Sequence, residues 1–452
     1  MSENKRTERE KRELSRLKKL HTGEMTTVGL IVLMGIIILI NSIDEISTTI
    51  GSAFQSNVVN TFFVEQGSTY EAGLSIVSMV GLVGAATAVL SPFYRALSDR
   101  YGRRFFLIIN TCGMGIGLFL CGIATNYLMY ALGSSLITFF IVHDTQIIYI
   151  LEVAPTKNRA VFYSVTKAAG ILAGVLLPVL RAVIMGNDAS KWQLVYLVPA
   201  VLAVGISVVS FFFAKESPAY INSRITYLEK PLEVREAEEK AKDAEKIGIF
   251  PALKYIFTHG KFRWNAISRM IIATGQVAIT SYYSSIMSKE AYGTLSTEDV
   301  TSVLFVYPFI YAATTMFSGV LADKFGRKVL EYVYCTICAT TFVLFVMGSM
   351  IGWAPLLVGL FYGVFTGTYW CSVDYLNIIT AEMAPPSIRN SIVAAASLLN
   401  YAGFAIGALA IIPIFNIIPL GPACLVVGLP CIIGSLLVTI FKGTETKGTV
   451  MD

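Results

Sequence analysis

Ser98-Asp99-Arg100-Tyr101-Gly102-Arg103-Arg104 and Ala322-Asp323-Lys324-Phe325-Gly326-Arg327-Lys328 are two copies of one pattern. Each copy runs acid, cation, aromatic, glycine and two cations, and each sits between long apolar runs. The copies lie 224 residues apart in a chain of 452 residues. A second pattern follows each of them. Asp144, Glu152, Pro155 and Arg159 recur as Asp374, Glu382, Pro385 and Arg389, every one 230 residues later. Coincidences in a single register mark an internal duplication.

Outward from these repeats the chain is apolar, with 55% hydrophobic and 14% charged residues. A soluble domain carries about 25% charged residues, so a soluble enzyme, a nucleic-acid binder and a disulfide scaffold are all excluded. Apolar runs fall at 27–63, 72–94, 105–125, 127–151, 160–184, 193–214, 264–287, 300–320, 329–351, 354–381, 391–416 and 419–441. Each is long enough for a transmembrane helix of about 20 residues. The expected fold is an all-α polytopic membrane protein with twelve transmembrane helices in two six-helix pseudo-repeat bundles. Its parts are a basic cytoplasmic tail (1–26), an N-terminal bundle (27–214), a cytoplasmic linker with a short helix (215–262), a C-terminal bundle (263–441) and a cytoplasmic tail (442–452).

Charge sets the orientation, because Lys and Arg stay on the cytoplasmic side. Of 35 Lys and Arg, 30 fall in segments on the side of the two tails, so both termini are expected in the cytoplasm. Residues 1–24 precede an apolar run with no small-residue cleavage site, which reads as a retained first helix. Glu236/Lys240 and Glu238/Lys242 suggest a solvated linker helix within 233–246. The seven cysteines lie in apolar runs, and Cys335-x-x-Cys338 reads as core packing. His21 and His259 have no ligand-like company, so no metal or other cofactor is expected, nor is catalysis.

On these residues the sequence resembles the major facilitator superfamily from about residue 27 onward. The stretches at 99–104 and 323–328 are similar to its signature loop between the second and third helices of each half. Glu152-x-x-Pro155-x-x-x-Arg159 and Glu382-x-x-Pro385-x-x-x-Arg389 resemble a cytoplasmic motif of the sugar porters and related metabolite porters. Lys215-Glu216-Ser217-Pro218 resembles their PESPR segment, and Glu445-Thr446-Lys447-Gly448 their PETKG tail. There are departures. Arg95 stands where the loop normally has glycine, and Lys215 and Thr444 replace prolines. Gly275-Gln276-Val277-Ala278 with Tyr282-Tyr283 matches the sugar-binding helix only in part. The resemblance implies secondary transport by alternating access.

The repeated loops suggest a cytoplasmic gate of Asp99, Arg103, Arg104, Glu152 and Arg159 in one half. The other half supplies Asp323, Arg327, Lys328, Glu382 and Arg389, with each Glu expected to pair with the Arg seven residues on. Ionisable residues within spans are costly and mark function. Asp144 and Lys167 each lie about 12 Å inside the cytoplasmic helix ends, at 1.5 Å per residue, and can pair across a hairpin. Position 397, which matches Lys167, is serine. Asp374 and the adjacent Asp44 and Glu45 are therefore the candidates for proton coupling. The position of Glu45 approximates the helix-1 aspartate of proton-coupled sugar porters, by resemblance only. Arg181 is expected to snorkel to the outer interface.

Around these charges, Arg269, Gln276, Tyr282, Tyr283, Tyr369, Trp370 and Asn377, with Asp144 and Lys167, are expected to line the substrate cavity. Tyr307, Tyr311 and Tyr375 belong to the same polar aromatic set. The leading expectation is proton-coupled uptake of a small polar solute, sugar-like or an organic acid, by a monomer in the plasma membrane. It would deal with substrate, protons and lipid, and not with nucleic acid. The alternatives are a proton/substrate antiporter exporting drugs or organic compounds, and a transporter-like sensor that moves nothing. Gly170-x-x-x-Gly174-x-x-x-Pro178 lacks the Gly-Pro step of exporters, which favours import.

Overall fold

The computed structural model describes residues 8–20, 27–88, 94, 102–141, 159–237, 248–385 and 388–447. Asp99, Asp144 and Glu152 lie outside the described residues, as do the side chains of Arg159, Lys167 and Asp323 and the expected linker helix from Glu238 onward.

The first half is built from α2 (Thr27–Ala53), α3 (Tyr70–Ala88), α4 (Arg103–Gly122), α5 (Tyr127–Phe140), α6 (Arg159–Ala173) and α7 (Trp192–Phe213), preceded by α1 (Glu8–Leu20). The linker carries α8 (Pro218–Glu229) and α9 (Ile249–Thr258). The second half follows as α10 (Gly260–Thr280), α11 (Thr297–Phe325), α12 (Arg327–Ile351), α13 (Pro355–Met383), α14 (Arg389–Phe415) and α15 (Leu420–Lys442). Helix thus occupies every one of the twelve apolar runs. Among the described residues, nine helices are long and apolar enough to cross a membrane. In lipid the backbone must satisfy its own hydrogen bonds, so an apolar run of this length has little alternative to helix. Outward-facing side chains such as Val183, Leu128, Phe212 and Val201 are at least 69% exposed, as a lipid-facing surface requires.

The linker is helical over 232–237, at the start of the expected helix, whose remainder lies outside the described residues, and it carries a further helix that the sequence reading did not expect. Its helix α8 starts where Ser217 Oγ accepts the Tyr220 amide at 3.3 Å and Pro218 occupies the first turn. A capping serine followed by proline is a strong start signal for a helix.

Within each half the helices pack on one another, α4 on α7 and α5, α2 on α6, α10 on α14 and α15, and α13 on α11 and α12. Between halves, α3 meets α14 and α6 meets α11. By the duplication, α3 corresponds to α11 and α6 to α14, so these are one contact made twice.

The two ends of the molecule are packed differently. At the end away from the tails and linker, one buried apolar cluster runs across both halves, from Ile50, Phe54 and Val58 to Tyr283, Met287 and Val303. Among the described residues, the clusters at the linker end stay within a half. Leu33, Ile37, Leu107 and Ala214 pack together in the first, while Ile256, Phe262, Ala384 and Ile392 pack together in the second.

Candidate functional site: a cavity between the halves

A cavity of about 940 Å³ lies between the two halves. Its lining on α2 includes Asn41, Asp44, Glu45, Thr48 and Ser52, and on α13 it includes Thr366, Trp370, Asp374, Asn377 and Ile378. Both sets repeat at three or four residues, one face of a helix. Gln276, Thr280, Tyr282, Tyr283, Tyr307 and Tyr311 complete it from the second half. Acids therefore enter from both sides, and Tyr311 lies within electrostatic reach of both Glu45 and Asp374. Asp44 is buried, at 2% exposure, while Glu45 and Asp374 are partly exposed.

Among the described residues, two polar atoms in this lining lack a hydrogen-bond partner: Ser47 Oγ and Asn377 Oδ1. Buried polar atoms are nearly always bonded, so orphans gathered at one cavity point to an occupant. Ser47 and Thr366 are additions to the expected set. Their signal was helical spacing, Ser47 three residues after Asp44 and Thr366 four before Trp370.

At the far end, hydrogen bonds join the halves above the cavity. Tyr70 donates to Ser285 at 2.7 Å and Ser285 to Gln55 at 3.2 Å. Tyr292 donates to Glu71 at 2.8 Å, and Tyr283 to the Thr49 carbonyl at 3.2 Å. Ser78 and Tyr282 share a bond of 2.8 Å. Arg181 belongs here too, which corrects the expectation that it snorkels. It is 3% exposed, stacks 4.7 Å from the Phe54 ring centroid and donates to Thr301 Oγ1 at 3.3 Å and the Ala53 carbonyl at 3.4 Å. Its length from the linker end was rightly an outer position, but a ring and two acceptors hold it inward.

At the linker end the two halves carry matching carboxylate caps. Glu216 Oε1 accepts the amides of Arg103 and Arg104 at 3.0 and 3.2 Å, at the start of α4. Glu445 accepts those of Arg327 and Lys328 at 3.0 and 3.1 Å, at the start of α12. An anion at a helix N-terminus meets unsatisfied N–H groups and the positive end of the helix dipole. The residues just before, Gly102 (φ +104°) and Gly326 (φ +99°), adopt backbone open to glycine, and a Cβ on either would strike the capping carboxylate. Burial is the larger influence on Glu216 and raises its carboxyl above the usual range, against the lowering effect of the amides. Sequence reasoning noticed these two segments as motifs but missed Glu216 and Glu445 as caps, because each partner lies over a hundred residues away.

The expected gate pair of the second half, Glu382 with Arg389, is not formed. Arg327 Nη2 reaches Glu382 at 3.2 Å, while Arg389 Nε donates to the Ala384 carbonyl at 3.4 Å. Glu382 thus bonds across to the α12 start, with Thr446 as a further donor, instead of pairing with Arg389. Of the expected cavity residues, Gln276, Tyr282, Tyr283, Trp370, Asn377, Asp44, Glu45 and Asp374 line the space. Tyr369 does not: it is fully buried and donates to the Ile272 carbonyl at 3.4 Å. Tyr375 stacks on Tyr334 and donates to the Ser318 carbonyl. Both sit about 100° round α13 from a lining neighbour, which turns them into the bundle. Arg269 is 5% exposed and lies about 10 Å, or two turns, toward the linker from Gln276, outside the lining. Among the described residues, no cluster of three His, Cys, Asp or Glu side chains could hold a metal ion.

Comparison with known proteins agrees with this architecture. The D-xylose–proton symporter superposes with a TM-score of 0.71 at 15% identity, covering 94% of this chain and 100% of that one. The xylose transporter XylE from E. coli, in an inward open conformation, gives 0.68 at 17% identity, covering 93% and 98%. In sequence, the solute carrier family 2, facilitated glucose transporter member 12 of Mus musculus is 27% identical over 143 residues, which is 31% of this chain and 22% of that protein. The match thus spans about a fifth of that relative's length. The family pattern of the Major Facilitator Superfamily matches residues 25–408. A duplicated helical bundle, a cavity between the halves and a family match over most of the chain lead to one conclusion: this multi-pass membrane protein is a transporter, and it belongs to the Major Facilitator Superfamily.

Proposed function

We propose that the chain is a proton-coupled importer of a small, neutral, polyhydroxylated solute, working by alternating access in the plasma membrane with its tails and linker in the cytoplasm. The observation that carries this reading is the polar lining that both halves bring to one cavity, in which Ser47 Oγ from one half and Asn377 Oδ1 from the other lack partners among the described residues. A solute bearing several hydroxyls can satisfy both and tie the halves together. Trp370, Tyr307 and Tyr311 add amphipathic surface on which the apolar face of a ring can rest. Among the described residues the lining holds Asp44, Glu45 and Asp374 and no Lys, Arg or His, which supports a neutral solute over an organic acid. The similar proteins named above are sugar carriers, which supports the same class.

In this reading the far end is closed by the cross-half bonds and the cavity is served from the linker end. The three carboxylates are the proton sites, since a carboxyl whose access to water changes with conformation binds and loses a proton in turn. A second reading, exchange of protons for an exported organic cation, is favoured by those same carboxylates. The test is transport in proteoliposomes under an imposed proton gradient, with labelled pentoses and hexoses. The gradient should drive sugar accumulation, and Asp44→Asn, Glu45→Gln or Asp374→Asn should abolish accumulation while leaving sugar counterflow. Accumulation intact in all three variants would refute the coupling. Exchange of protonated amines with no sugar counterflow would move the chain to the second reading.

A further inference from the structure

Helix α1 has two charged faces with different uses. Its inner face is clamped to α8 and the residues beyond it. Arg224 donates to both Glu13 carboxylate oxygens, at 2.8 and 3.4 Å, and Arg235 Nη1 to Glu10 at 2.9 Å. Leu14 and Leu17 are buried against Ile221 and Leu228. Glu10 and Glu13 are thus engaged on the linker side. The opposite face carries Lys11, Arg12, Ser15, Arg16 and Lys19, all exposed. They line a shallow cleft of about 540 Å³ made, among the described residues, of four cations and one hydroxyl.

This cationic face cannot lie far from the bilayer. Leu20 and Thr27 are seven residues apart, at most about 25 Å of extended chain, and Thr27 begins the first spanning helix. On the other side α8 begins five residues after α7 ends, and Phe211, Phe212 and Phe213 at that end are at least 59% exposed, as lipid-facing rings. Being held at both ends keeps α1 at the edge of the membrane. An exposed cation there gains roughly fivefold in partitioning to an anionic surface, so four on one rigid helix face act together.

We propose that the Lys11, Arg12, Arg16 and Lys19 face of α1 binds anionic phospholipid headgroups of the leaflet on the linker side. The clamp to α8 sets the orientation and turns the exposed cations away from the linker. Because α8 is joined directly to Glu216, a lipid held on α1 steadies the segment that caps α4. The proposal stands apart from the choice of substrate.

The test uses the purified full chain in neutral detergent. Thermal stability is followed while titrating short-chain phosphatidylglycerol, short-chain phosphatidylcholine or inorganic phosphate. Phosphatidylglycerol should raise the melting temperature, an effect that shrinks as salt rises, because surface charge interactions are screened. The variant Lys11→Gln/Arg12→Gln/Arg16→Gln/Lys19→Gln should need at least about tenfold more of that lipid for the same shift, given the per-charge factor above. An unchanged response of this variant overturns the proposal, as does an equal response to phosphatidylcholine or a salt-independent one. Equal stabilisation by inorganic phosphate would make the face a free-anion site and also overturn it. If the fourfold variant does not fold, Lys11→Gln/Arg16→Gln, which leaves the inner face and half the cations in place, must show a weakened response. No loss there overturns the proposal.

Discussion

The bond from Tyr292 to Glu71 is the cleanest single test of how the far end is held shut. It joins the loop after α10 to the start of α3, so it is made only while the halves are closed at that end. The donor–acceptor distance is 2.8 Å and both residues are partly exposed. A hydrogen bond to a charged acceptor is worth about 1.5–3 kcal/mol, and partial exposure places this one near the lower value. About 1.4 kcal/mol is tenfold in an equilibrium constant, so Tyr292→Phe should raise the population open at the far end by roughly tenfold. Ser52 lines the cavity and supplies the reporter as Ser52→Cys. Its labelling by a membrane-impermeant maleimide added from the far side is compared with the parent chain, whose seven cysteines are buried or half-buried. Glu71→Gln retains a neutral acceptor and should give a smaller rise than Tyr292→Phe. Glu71→Ala should match Tyr292→Phe, and the double variant should exceed neither, because both remove one bond. Labelling that is unchanged in Tyr292→Phe, or additive in the double variant, would refute the idea that this pair latches the far end.

Arg181→Met keeps the apolar stem but loses the stacking on Phe54 and the bonds to Thr301 and Ala53, so the same labelling should rise by tenfold or more. Gly102→Ala places a Cβ against Glu216 on backbone that only glycine occupies easily, costing about 1–3 kcal/mol of strain before the amide bonds are counted. A thermal shift matching that of a surface Gly→Ala substitution would refute the cap. The Glu216 carboxyl is raised by burial, so its contribution to stability is fully present below its unfolded value of about 4.3 and is lost as pH rises through the higher folded value. Glu216→Gln should therefore gain stability relative to the parent as pH rises from about 4.3 toward neutrality. A gain in the opposite direction would show that the amides outweigh the burial.

Much of the site was legible once helical periodicity was taken strictly. Thr366, Trp370, Asp374 and Asn377 follow from one another at steps of four and three, and Tyr369 and Tyr375 fail the same rule by one residue. A tyrosine near mid-span is attractive as a cavity residue on polarity alone, but a rotation of about 100° decides which side it faces. Polarity could not reveal that Ser47 Oγ and Asn377 Oδ1 lack partners among the described residues, since that depends on what the neighbouring helices leave unfilled.

The spans, the duplication and the sidedness of charge are local properties. Lipid compels each apolar run to close its own backbone hydrogen bonds, and cations resist crossing, so twelve helices and a common side for tails and linker can be read without a fold. The repeated glycines were equally visible, since positive φ is a property of one residue. Their purpose was not. Glu216 meets Gly102 and Glu445 meets Gly326 only after more than a hundred intervening residues have folded, and Arg327 chooses Glu382 by the way α12 lies against α13. Which end of the cavity is closed is more remote still. It rests on pairs such as Tyr70 with Ser285 and Tyr292 with Glu71, one partner from each half. The same chain could hold those partners apart with every helix intact, so only the packing of one half on the other settles it.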